Sequence, residues 1–188
     1  MNSAVIDAVG LRQMVSILID RGYTVVGPTV SDNAIVLSEL GSADELPLGW
    51  GVEVGPCHYR LRRRDDDKAF GHSAGPQSWK QFLHPPRQKL WSSAGEGTEE
   101  PPRYAFLGVR GCDLAAIATL NGVLGNGTHS DDDFTGRLRR VFVVAVNCTE
   151  PALHARSSMC PRGRASGTAS ARLPVDCSTT DTTSAMTG

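Results

Sequence analysis

Two strongly apolar runs constrain this 188-residue chain more than anything else in it. The first, Tyr104-Ala-Phe-Leu-Gly-Val109, leads into Arg110-Gly-Cys112-Asp113, and the second, Val141-Phe-Val-Val-Ala-Val146, leads into Asn147-Cys148-Thr-Glu150-Pro151. Between them Leu114, Ile117, Leu120 and Leu124 recur at near-helical spacing, so the whole reads as strand, helix, strand. A crossover of this kind makes its two strands parallel and brings both carboxyl ends to one edge. If the strands are neighbours, Cys112 and Cys148 meet there. That edge is where open α/β sheets bind ligands, and the start of the helix after Cys112 favours a thiolate or an anion. The expected fold is therefore α/β, a mixed sheet with a parallel strand–helix–strand unit, followed by a disordered carboxyl-terminal tail.

The remaining elements follow from periodicity. Leu11, Met14, Val15, Leu18 and Ile19 fall on one face of a helix that Gly22 ends, and that face is expected to be core. Residues 23–26 and 34–40 read as two strands of a hairpin, separated by Gly27-Pro28 and Ser31-Asp32-Asn33. Residues 41–58 are rich in Gly and Pro, and Tyr59 to Arg64 reads as a strand. Ser78-Trp-Lys-Gln-Phe-Leu83 can form a short helix that Pro85 and Pro86 terminate, and residues 92–102 read as a flexible surface loop.

Several features have a plain structural meaning beside a functional one. A lone cysteine is more often a small buried hydrophobe than a ligand. The runs Asp65-Asp66-Asp67 and Asp131-Asp132-Asp133 suit a cation in principle, but solvated turns explain them better and neither has the spacing of a calcium loop. Lys80, His84, Arg87 and Lys89 cluster around Trp79 and Trp91, a pattern that serves single-stranded nucleic acid or a partner protein; docking or packing is the expected use. Zinc held by Cys57 and His58, or by Cys112, Cys148 and a histidine, has no support from spacing. No nucleophile–base constellation and no glycine-rich phosphate loop is present.

Eight segments carry a resemblance in fixed order: Gly22-Tyr-Thr-Val-Val-Gly-Pro28, Leu46-Pro-Leu-Gly-Trp50, Tyr59-Arg-Leu61, Gly75-Pro-Gln-Ser-Trp-Lys80, Leu83-His-Pro-Pro86, Leu90-Trp91, Gly108-Val-Arg-Gly-Cys-Asp-Leu114 and Val146-Asn-Cys-Thr-Glu-Pro151. In these the chain resembles the iron–sulfur beta subunits of soluble hydrogenases and sulfhydrogenases, and is similar to the A subunit of anaerobic sulfite reductase, over roughly residues 10–151. The resemblance implies an amino-terminal α/β domain of an electron-transfer subunit rather than an enzyme in its own right. It implies a [4Fe–4S] cofactor, and as partners a flavin-bearing and a catalytic subunit of a redox complex. Cys112 and Cys148 match family cysteines and are the candidate cofactor-binding, iron–sulfur ligands.

The resemblance stops at Pro151. Where the family continues with two glycines and a Cys-x-Cys pair, this chain reads Ala152-Leu-His-Ala-Arg-Ser-Ser-Met-Cys-Pro-Arg-Gly163, and the cysteine-rich ferredoxin-like runs are missing from the sequence. The expected organisation is an α/β domain over 1–151 and a disordered tail over 152–188, rich in Ser, Thr, Ala, Gly and Arg, with too few large apolar groups to offset the entropy of ordering. A natural linker explains such a composition, and so does out-of-frame reading of a GC-rich gene, which the break in mid-motif favours. The expected function is thus a truncated electron-transfer subunit that does not complete the family's cluster set. The alternative is a non-redox interaction domain that uses the segment from Trp79 to Trp91.

Charge and cysteine usage set the outer limits. A net charge of −1 gives no global reason to expect nucleic acid or a membrane surface, and no run approaches a membrane span. Five irregularly spaced cysteines do not read as a disulfide framework, so a reducing cytoplasm is the expected setting.

Overall fold

The computed structural model describes residues 6–73, 75, 77–88, 100–126 and 129–148. The tail expected over 152–188 lies outside these residues, as do Lys89 and Trp91. Six strands and four α-helices occur among them: α1 (Ala8–Asp20), β1 (Thr24–Ser31), β2 (Ala34–Glu39), a 3-10 turn (Ala43–Glu45), β3 (Trp50–Gly55), β4 (His58–Arg63), α2 (Lys80–Leu83), β5 (Tyr104–Val109), α3 (Gly111–Leu124), α4 (Asp132–Arg140) and β6 (Phe142–Ala145).

The main sheet is mixed, in the order β2-β1-β5-β6. β1 and β2 form the antiparallel hairpin, turned by Asp32 and Asn33, both with positive φ. β1 pairs with β5 and β5 with β6, both in parallel, as the apolar runs require. Gly27 and Pro28 do not break β1. The β5 pairing ends at Val26, so beyond it Pro28 stands where no ladder bond is asked of its missing N–H.

Alternation sends the sheet's side chains into two cores. Val25, Ala105, Leu107 and Val144 meet Val15 and Leu18 of α1, with Leu40, Ala43 and Leu46, on one face. Val26, Phe106 and Val143 meet Trp79 and Leu83, Ile117 of α3 and Phe134 of α4 on the other. Along β5 a bulge falls between Leu107 and Val109, and Gly108 occupies it with a φ of 91°. The extra residue turns Val109 from the Leu107 face to the Phe106 face. A Cβ at position 108 would stand 2.7 Å from Cε1 of Phe70, so the bulge requires glycine.

Helix α1 begins at Asp7, whose carboxylate accepts from Gly10 N at 2.8 Å, and ends at Gly22 with a φ of 77°. Val15 and Leu18 are buried and Leu11 and Met14 pack beside them, but Ile19, expected on the core face, is exposed at its margin. One helix was expected between β5 and β6; there are two. Asp131 caps α4 by accepting from Phe134 N at 2.9 Å, and the acidic run that read as a turn supplies the first turn of that helix, with Arg137, Arg139 and Arg140 in the last. The Gly- and Pro-rich stretch likewise holds a strand: β3 pairs with β4 in a second, two-stranded sheet. Tyr59 of β4 ties this hairpin to the main sheet by accepting from Ile35 N at 3.1 Å. No helix among the described residues is long and apolar enough to cross a membrane.

Candidate functional site

The carboxyl ends of β5 and β6 form the edge that the sequence singles out. Val146 N donates to Val109 O at 2.8 Å, carrying the pairing to the last residue of β5. Cys112 follows in the first turn of α3 and Cys148 two residues beyond Val146, so both sit at the same edge, each half-buried. The chemistry at Cys112 differs from the expectation that a helix start favours its thiolate. Burial pushes the Cys112 thiol up from its ordinary value and the neighbouring Asp113 carboxylate adds to this, while Arg110 and the Cys112 and Asp113 amides pull the other way. Burial and Asp113 win over the helix start.

A [4Fe–4S] cluster takes four thiolates in its common form, and this edge offers two. Cys57 lies in the β3–β4 turn, exposed, with a φ of 61°, and Cys160 and Cys177 lie outside the described residues. Among the described residues no group of three or more His, Cys, Asp or Glu side chains is placed to hold a metal. The donor set present among them does not fit a complete cluster site.

At the carboxyl end of β5 a small cleft opens to solvent between Pro28, Ile35 and Leu37 of the hairpin, Trp79, and Gly108 and Arg110. Its polar wall is made by His72, Gln77, Arg110 and Asp113. Gln77 is fixed by Leu37 N, which donates to its Oε1 at 2.6 Å. Asp113 Oδ2 accepts from Arg110 N at 3.0 Å, closing the first turn of α3 on the end of β5. Upstream, Arg64 braces the loop that leads to His72, donating from Nη1 to Gly71 O at 2.9 Å and from Nε and Nη2 to Asp66, each at 2.8 Å. Arg64 first, and then Lys68, hold the Asp66 carboxyl well below the usual carboxylate range. The run at 65–67 therefore spends its central carboxylate on holding a loop.

Arg110 is the centre of this cleft. It is buried, with 8% of its surface exposed, and its Nη2 donates to His72 O at 2.7 Å. The same Nη2 stands 3.0 Å from His72 Nδ1, which also lies 3.0 Å from Ser73 O. Nδ1 thus faces a donor, the Arg110 guanidinium, and an acceptor, the Ser73 carbonyl, at the same distance. Burial drives the His72 pKa down from 6.5 to about 4, and the Arg110 charge adds to it against the Ser73 carbonyl, so the ring is neutral at pH 7. Its Nε2 is buried without a hydrogen-bond partner, as is Ser73 Oγ. Each such group costs on the order of 1–3 kcal/mol when left unmade. Arg110 forms no ion pair with a carboxylate among the described residues.

The basic and aromatic segment divides. Trp79 is buried against Phe106, ring centroids 4.7 Å apart, and Leu83 is buried with it, so Trp79 packs the core and does not anchor a partner. Lys80, His84 and Arg87 are exposed, with His84 Nε2 3.8 Å from Asp131. Sequence reasoning singled out the cysteines and passed over Arg110 and His72. The one signal for them was position: Arg110 directly follows the most buried strand, and His72 lies in a loop whose burial no pattern announces. Comparison of the chain with family models, curated proteins and solved structures finds no match to any of them.

Proposed function

We propose that this chain is the α/β amino-terminal domain of an iron–sulfur electron-transfer subunit of the hydrogenase or sulfite reductase type, with an incomplete set of cluster ligands of its own. The observation that carries the reading is the arrival of two cysteine-bearing segments, residues 108–114 and 146–148, at one edge of neighbouring parallel strands, through Cys112 and Cys148. Helix α3 supports a role as a subunit. It is apolar on nearly every side, yet Ala115, Ala116, Ala118 and Val123 are exposed, and a helix of that kind is normally covered on all faces. A flavin-bearing or catalytic subunit is the partner that the reading assigns to that surface. Cys57 and Cys112 are thiols outside any disulfide, in keeping with a reducing, cytoplasmic setting.

In this reading the domain's own residues orient and pack. Asp113 closes α3 onto β5, the Gly108 bulge sets where the strand ends, and Cys112 and Cys148 follow the ends of β5 and β6. No electron step is assigned to a cluster held by this chain alone. Anaerobic reconstitution of the purified chain with iron and sulfide tests this part of the proposal. The expected result is well below one cluster per chain; a stoichiometric cluster that survives gel filtration contradicts an incomplete ligand set.

A further inference from the structure

We propose that the cleft around Arg110 is a binding site for one small oxyanion, held by the Arg110 guanidinium beside the His72 ring. Two independent features of the cleft call for the same ligand. The first is a cation: the Arg110 guanidinium is buried at the inner end of the cleft, one of its nitrogens is engaged by His72, and no carboxylate among the described residues pairs with it. A buried guanidinium is ordinarily paired, and its planar fork matches an oxyanion in two-point contact. The second is a polar atom without a partner: His72 is only 5% exposed and its Nε2 makes no hydrogen bond; carrying the ring proton, it donates to the same ligand. His72, Arg110 and Asp113 line one cleft, beside the start of the 14-residue helix α3, whose first amides add positive potential.

Size and charge narrow the class. A small cleft that opens to solvent, walled by Ile35, Leu37 and Trp79, suits a phosphate, a sulfate or a single carboxylate group. Asp113 opposes the ligand, because its carboxylate lines the cleft; with Oδ2 already accepting from Arg110 N, it weakens the field without occupying the site. The site stands whether or not the chain works in electron transfer, since neither cysteine takes part in it.

The test is a titration of the whole chain with inorganic phosphate, sulfate or acetate at an ionic strength held constant with chloride, followed at the His72 ring and Trp79 indole resonances. Saturable shifts at both are expected. Saturation by phosphate and sulfate alone makes the ligand tetrahedral, and saturation by acetate alone makes it a carboxylate. Arg110→Met is expected to abolish the shift, Arg110→Lys to weaken binding about tenfold, since it keeps the charge and loses the fork, and Asp113→Asn to tighten it. Shifts that rise linearly without saturation for all three anions overturn the proposal, and so does equal affinity in Arg110→Met. Should that variant not fold, Asp113→Asn decides, and an unchanged affinity there overturns the proposal.

Discussion

Arg110 and His72, 38 residues apart in sequence, meet at the inner end of the cleft, with Arg110 Nη2 2.7 Å from the His72 carbonyl oxygen and 3.0 Å from its Nδ1. The contact ties the loop after β4 to the end of β5, and so joins the two sheets' connections at the edge where Cys112 stands. It also sets the state of the ring. A guanidinium beside Nδ1 makes the imidazolium doubly unfavourable, through burial and through like charge.

Stability should therefore fall on mild acidification. The folded pKa of His72 is about 4 against 6.5 for an ordinary histidine, so between those values the unfolded chain binds the extra proton. The contribution is complete above about pH 6.5 and is lost as pH falls toward 4, amounting to at most ~3 kcal/mol. Denaturant unfolding at pH 7 and pH 4.5 measures it. His72→Asn should flatten the dependence in that window; an unchanged dependence in the variant assigns it to other groups.

Trp79 separates core from surface. With its ring buried against Phe106 and beside Phe82, Trp79→Ala should cost ~3–5 kcal/mol in denaturant unfolding, as large aromatic truncations in a core do. A cost below about 1 kcal/mol, as at exposed positions, contradicts its packing role.

The contrast between these residues shows what the sequence could convey. The parallel strands were legible because Tyr104–Val109 and residues 141–146 are continuous apolar runs with a helical pattern between them, and α1 because its apolar spacing and Gly22 agree. Helix α4 was hidden by its cap: three adjacent aspartates read as a solvated turn, although Asp131 followed by Phe134 and Leu138 carries both the cap and the four-residue spacing. β3 was hidden by glycines, Gly51 and Gly55 interrupting the alternation of Val52 and Val54. The bulge at Gly108 left no mark in an apolar run, so the turn of Val109 to the other face could not be read. Cys112 and Cys148 announced themselves by residue type, whereas Arg110 and His72 matter through burial and through each other, which a linear pattern does not encode.

Cys112 should be a slow thiol. Burial and Asp113 raise its pKa, so alkylation by iodoacetamide at pH 8, followed by peptide mass spectrometry, should modify the exposed Cys57 first. Asp113→Asn removes the adjacent charge and should quicken the reaction at Cys112 while leaving Cys57 unchanged. Equal rates at the two cysteines in the unaltered chain contradict the description of the Cys112 environment.

The central claim is that this domain works inside a redox complex. Its most direct test is anaerobic isolation of the tagged chain from its native cells, with flavin, iron and subunit composition determined on the same chromatographic peak. The account predicts co-elution in fixed ratio with a flavin-bearing subunit and an iron–sulfur catalytic subunit, and weaker co-elution when Val123 on the exposed face of α3 is replaced by Glu. Elution of the chain by itself, free of flavin and iron, would contradict it.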